Sequence, residues 1–450
     1  MGTAMNWTDK WLPFRAEERK LFLLSAGWFF CLLSSYYILK PIREAMGVEL
    51  GVGKLPSLFL ATMLAMLVAL PIYNFLVAKL SRRRLLLAVY QFFVLCILGF
   101  VTTYSLLDLS GRLVVARVYF VWVSVFAMWS VSLFWSVAAD IFDSESAKRL
   151  FGPIAAAGTV GAIASSLLAS QLSNRLGVVG LWIAAAIVLQ VGLMLGLRLE
   201  STANQSVIQR FAQAKEKVGF DWMGGLDGVL REVLWPIVKD LFTSPYLLGI
   251  TVYICLIALG GTTVYSLLNY EVGLSFKESA DRVSFFAGLN LGVQLVTVVL
   301  QSLLSANLLR SWGVGRTLML LPLAYLLIFA LFGWHLNLTL VSAGFVLASS
   351  LAYGLTVPAR ELLFTVVDKS AKYRTKAVID TVLFRTFDFL ASLGVELSLK
   401  QQYLFGYLLG LVAISSAWCS LGFWLGKKQQ KKAAEIESAA DTREAKSESS

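Results

Sequence analysis

Charge is scarce in this chain: 15% of its 450 residues are Asp, Glu, Lys or Arg against 58% hydrophobic. That excludes a soluble domain, because no single core hides so much apolar surface. Histidine is nearly missing. His335 is the only one, which removes the residue most used for general acid–base work and for metal ligation. The four cysteines, Cys31, Cys96, Cys255 and Cys419, fall inside apolar runs without ligand spacing, so neither disulfide nor metal is expected. No Walker-type glycine loop, Ser/His/Asp set or paired carboxylate beside a nucleophile is present, so no catalytic residue, cofactor or enzymatic activity is expected. Acid is the rarer sign and the net charge is +11. Because the basic residues cluster in short loops, the excess reads as membrane topology and needs no nucleic-acid partner.

What the chain has instead is apolar runs of membrane length. They cover residues 21–39, 57–77, 85–107, 113–139, 154–172 and 178–197, then 246–268, 283–308, 318–334, 338–357, 377–399 and 403–425. Each can cross a ~30 Å hydrocarbon core. The reading is an all-α polytopic protein in the lipid bilayer with about twelve helices, by the ~20-residue criterion. The domains are a cytoplasmic N-terminal segment (1–20), a six-helix bundle (21–199), a linker with an amphipathic helix (200–245), a second bundle (246–426) and a disordered tail (427–450). Residues 1–20 are polar and show no cleavage site, so the first helix is expected to stay as an anchor. Arg82, Arg83 and Arg84, Lys148 and Arg149, Arg310 and Arg316, and Lys369, Lys372 and Arg374 occupy loops on the N-terminal side. Both termini are therefore expected in the cytoplasm, with the protein in an inner or plasma membrane.

Against this background the run from Ser34 to Gly47 stands out, because it places Lys40, Arg43 and Glu44 at i, i+3 and i+4 with Tyr36 a turn below. Pro41 cannot donate a hydrogen bond and frees a backbone acceptor at the same depth. Charge and free acceptors inside a span mark a substrate site, with Tyr37 adjoining it. The alternative is that Lys40 and Arg43 snorkel to the headgroups. Other polar groups within spans are Arg117, Asp380, Arg385, Asp388, Asn290, Gln294 and Gln301. Arg385 and Asp388 are three apart and can neutralise each other in cis, while Asn290 and Gln294 share a face as substrate contacts or interhelical hydrogen-bond glue.

The two halves echo one another, Phe134–Gly152 against Leu363–Lys376 and Tyr37–Gly47 against Tyr265–Gly273, as expected of a transporter built from repeated six-helix bundles. Asp140, Lys148 and Arg149 with Lys372 and Arg374 then read as a salt-bridge gate.

Tyr37-Ile38-Leu39-Lys40-Pro41-Ile42-Arg43-Glu44, Leu133-Phe134-Trp135, Ala147–Gly152 and Lys376–Asp380 resemble the nucleotide transporters of plastids and intracellular bacteria, which exchange ATP for ADP and belong to the major facilitator class. The resemblance implies a major facilitator fold and places Arg43 on a functional first-helix lysine. Two positions depart from it. Val123 stands where the exchangers resemble Glu-Leu-Trp-Gly, and Asp388 where they carry a lysine. The reading is a secondary transporter, monomeric, for an anionic or zwitterionic small molecule. The alternatives are an ATP/ADP exchanger and a non-transporting scaffold or receptor on the same fold.

Overall fold

The computed structural model describes residues 18–142, 144–202, 244–367, 376 and 379–448. All regular structure among them is helical, as a chain crossing lipid must satisfy its backbone internally. The first half holds α1 (Arg19–Leu50), α2 (Leu55–Lys79), α3 (Arg82–Leu106), α4 (Leu109–Ile141) and α5 (Ser144–Thr202). The second holds α6 (Pro245–Ser275), α7 (Ser279–Val299), α8 (Ala306–Ser311), α9 (Gly313–Trp334), α10 (Leu338–Leu351), α11 (Val357–Leu363), α12 (Phe384–Lys400) and α13 (Leu404–Glu448).

Ten helical segments among the described residues are long and apolar enough to cross a membrane, and the chain is a multi-pass membrane protein. Eleven of the twelve expected runs lie, to within one residue at their ends, within these ten segments. A 59-residue α5 would reach ~88 Å as one rod, but Gly177, at φ 62°, breaks the ladder and joins two membrane-length arms. The remaining run is α12 with its preceding π turn, whose Asp380, Arg385, Asp388 and Glu396 keep it below the apolar threshold.

The residues cluster into two compact units, Met1–Leu50, Leu64–Phe220 and Phe276–Leu291 in one, Gly51–Met63, Asp221–Ser275 and Gly292–Ser450 in the other. Two helix starts group across the linker. The start of α2 groups with the second unit, where Phe59 lies 6.1 Å from the Tyr265 ring and Thr386 donates to the Met63 sulfur. The start of α7 groups with the first, where Ser284 donates to the Ser170 carbonyl. Most of the linker, residues 203–243, lies outside the described residues. Helix α13 continues to Glu448. Its Lys, Gln, Ala and Glu are strong helix formers without an intervening Gly or Pro, and Lys432 reaches over the Tyr246 ring at 5.4 Å.

In the first unit α1 is gripped by both arms of α5, because small residues let the backbones approach. Gly161 faces Phe30 and Ser34, Gly196 faces Trp28, and Ser35 donates to the Ala185 carbonyl at 3.0 Å. Trp28 packs edge-on to Phe134 at 4.8 Å, and buried Tyr90 donates to the Ser130 carbonyl. The second unit centres on Tyr253, Tyr325 and Trp418, with the Tyr253 hydroxyl donating to the Leu318 carbonyl at 2.6 Å. Its helices carry π turns at Leu300–Ser305, Ala352–Thr356 and Ile379–Leu383, the first two linked by Gln301 donating to the Tyr353 carbonyl. One-turn π insertions mark places where a helix re-aims side chains.

Candidate functional site

The α1 helix runs unbroken through buried Pro41. The Tyr119 hydroxyl of α4 donates to the neighbouring Leu39 carbonyl at 3.0 Å, anchoring this turn from the side. Lys40 and Glu44 lie one turn apart, 3.8 Å between their charged atoms, and Glu44 is only 2% exposed.

Between them sits Asn290 of α7. Its carbonyl oxygen accepts from Lys40 Nζ at 2.7 Å, and its amide donates to Glu44 at 2.9 Å and to the Phe286 carbonyl. A buried carboxylate needs charge and donors around it, and this set supplies both. Asn290 is itself buried, so its orientation is fixed by having every neighbour dictate which end donates.

Arg43 goes another way. At 100° per residue it lies about 60° to one side of Lys40 and Glu44 about 40° to the other, so the two reach different helices. Its Nε donates to the Phe120 carbonyl at 3.0 Å and its guanidinium carbon lies 3.8 Å from the centre of the Phe120 ring. Its two terminal amino groups make no hydrogen bond among the described residues, while its charge still acts on Glu44. Tyr36 packs edge-on to Tyr37 at 5.2 Å, and the Tyr37 ring lies 5.4 Å from Lys40 Nζ.

Of the remaining expected residues, Arg385 and Asp388 form a pair at 3.0 Å within α12, and Asp388 also accepts from the Thr262 hydroxyl of α6. Gln294, a turn beyond Asn290, is half-buried. Arg117 is exposed on α4 and supports no internal cavity; its long side chain can reach a boundary.

Of the expected gate, Asp140 and Arg149 have described side chains. Arg149 pairs with Glu18 at 2.9 Å, and Glu18 also accepts from Ser146. Asp140 lies within the electrostatic reach of Arg82. The side chain of Lys148 and all of Lys372 and Arg374 lie outside the described residues.

Two groups escaped the sequence reading. Arg82, grouped with a solvated basic loop, is 4% exposed at the start of α3. Arg360 and Glu361 on α11 join Lys376 and Asp380 in one ion cluster, with Lys376 to Glu361 at 2.7 Å and Arg360 to Asp380 at 3.6 Å. The adjacent opposite charges directly after the tenth apolar run were the available signal.

No protein-family model and no curated protein matches the chain. Solved structures do match it. A mutant of the nucleoside transporter NupG aligns with TM-score 0.63 at 14% identity, over 91% of this chain and 99% of that one. A mutant of the peptide transporter POT aligns with TM-score 0.62 at 12% identity, over 96% and 100%. A bacterial homolog of the human lysosomal transporter Spinster aligns with TM-score 0.55 at 13% identity, over 93% and 99%. At such identities these likenesses establish the fold. The chain is an all-α polytopic membrane protein with the major facilitator fold.

Proposed function

We propose that the chain is a secondary transporter of the major facilitator type, carrying an anionic or zwitterionic small metabolite by alternating access. The observation that carries the reading is Arg43, anchored by Nε and the Phe120 ring, with its terminal amino groups making no hydrogen bond among the described residues and its charge within electrostatic reach of Glu44. A guanidinium held in place presents a forked donor pair matched to a carboxylate or phosphate. Beside it on α1, Lys40 is held by Asn290 and Glu44, so the local charge depends on which partner Lys40 keeps. The solved structures with the same fold are named as transporters of nucleosides and peptides, which supports a small organic substrate.

The test is reconstitution into liposomes after a thermal-shift screen of anionic and zwitterionic metabolites. A ligand at 100 times its dissociation constant adds ~2.7 kcal/mol of stability, and accumulation of that ligand against its gradient supports transport. Labelled ATP leaving loaded vesicles only when ADP is supplied outside identifies a nucleotide exchanger. No uptake of any stabilising ligand by folded, reconstituted protein counts against transport.

The reading includes a monomer in an inner or plasma membrane; that both termini are cytoplasmic is supported by the basic loops. Cysteine placed at Ser81 is then labelled by an impermeant probe only in opened cells. Labelling in intact cells reverses the orientation.

A further inference from the structure

Helices α9 and α13 of the second unit meet as an antiparallel pair. Gly315 lies against Gly426, and Leu318 against Gly422 a turn further on. The absence of side chains at this contact lets the helices close at one edge, and beside it they enclose a groove of about 610 Å³. Met319, Leu323, Cys419 and Phe423 line its body, with Trp312 and Arg316 at one end.

The chemistry of the groove changes along its length. From Arg316 to Leu323 the wall extends for ~10 Å as helix and is almost wholly apolar. At the mouth, Arg316 is exposed on the first turn of α9, and Lys427 stands over the Phe423 ring with Nζ 4.6 Å from its centre. Residues 309–334 and 404–434 contain no Asp or Glu at all, and neither cation forms an ion pair among the described residues. Trp312, 48% exposed, sits at the same end, where an amphipathic ring is suited to the headgroup layer.

We infer that this groove binds an anionic phospholipid, its phosphate held at the mouth by Arg316 and Lys427 and an acyl chain laid along Met319, Leu323 and Phe423. A soluble anion would use the cations and leave the apolar wall in contact with water. A zwitterionic lipid would fill the wall but bring its own cation to a doubly positive mouth. An anionic diacyl lipid satisfies both parts, so the occupant is assigned by charge and shape together.

The experiment uses the purified full chain in an uncharged detergent. Phosphatidylglycerol, phosphatidylcholine with the same acyl chains, and glycerol phosphate are each titrated, reading retained ligand by native mass spectrometry and the thermal unfolding midpoint. Phosphatidylglycerol should be retained and raise the midpoint, while the other two are not retained. Arg316→Gln should weaken retention roughly fivefold, and adding Lys427→Gln should weaken it roughly fivefold again. Leu323→Trp, which leaves both cations in place, should block retention by filling the groove. The proposal is overturned if phosphatidylcholine is retained equally, or if glycerol phosphate competes as well as the intact lipid. It is equally overturned if folded Arg316→Gln and Leu323→Trp proteins retain phosphatidylglycerol unchanged. Because the two charged positions are exposed, their substitution leaves the packing of α9 on α13 intact.

Discussion

Arg43 stands over Phe120: its guanidinium carbon is 3.8 Å from the ring centre, and its Nε donates to the carbonyl of that same residue. One residue of α4 thus holds the group through both its side chain and its backbone. A long flexible cation becomes a fixed one, so less freedom is lost when it meets an anion.

If Arg43 binds substrate, Arg43→Ala should cost about 1.5 to 3 kcal/mol of substrate binding, roughly a 10- to 150-fold rise in dissociation constant, while the protein remains folded and monodisperse. Arg43→Lys should restore only part, since an ammonium replaces a planar fork by a point charge. Titration calorimetry of wild type and both variants with the identified substrate decides it. Unchanged affinity in Arg43→Ala removes this residue from the site.

Lys40 and Glu44 should behave as one unit. Lys40→Met leaves Glu44 buried without its nearest cation and should destabilise by about 3–5 kcal/mol. The double variant Lys40→Met, Glu44→Gln should lose clearly less than the two single losses added together, because the neutral amide still accepts from Asn290. Thermal unfolding in one detergent, read for all four members of the cycle, gives the coupling. Simple additivity would mean that the pair does not share its energy.

Gly426 meets the backbone of Gly315, so a methyl group there strikes main-chain atoms that cannot rotate aside. Gly426→Ala should therefore lower stability by about 1–3 kcal/mol through overpacking. Gly410→Ala on the same helix, where an added Cβ meets nothing, is the control and should not destabilise. Equal midpoints for the two variants would show that α9 can back away from α13.

Asp108 caps α4 in the loop after α3, accepting from the Gly111 amide at 3.0 Å and from the Ser110 hydroxyl. These hydrogen bonds, the Gly111 amide foremost, hold its carboxyl below the ordinary carboxylate range. A depressed folded pKa means that the unfolded chain binds the proton more readily. The stabilisation is therefore present above the ordinary value and lost as pH falls through the lowered one. Asp108→Asn should keep a cap while removing that acid dependence, and Asp108→Ala should lose both. Unfolding midpoints taken from pH 7 down to pH 3 test this, and parallel curves for all three proteins would contradict it.

Hydropathy along the chain suffices to place it in a membrane and to locate its apolar segments. Transfer into lipid is a property of each residue summed over a short window, so runs such as 85–107 and 338–357 can be read without knowing their neighbours. It also marked Lys40, Arg43, Glu44 and Asn290, because a polar group inside such a run is costly wherever it points.

Which partner satisfies each of them was a tertiary matter. Lys40 takes Asn290 from 250 positions away, Arg43 donates its hydrogen bond to the Phe120 carbonyl, and Arg149 takes Glu18. Arg82 is buried although its neighbours in sequence are those of a solvated loop. These outcomes depend on where another helix passes, and that is set by close contacts such as Gly161 on Phe30 and Gly426 on Gly315. A window along one chain contains no information about the helix that packs across it, so the segments were local properties and the site was not.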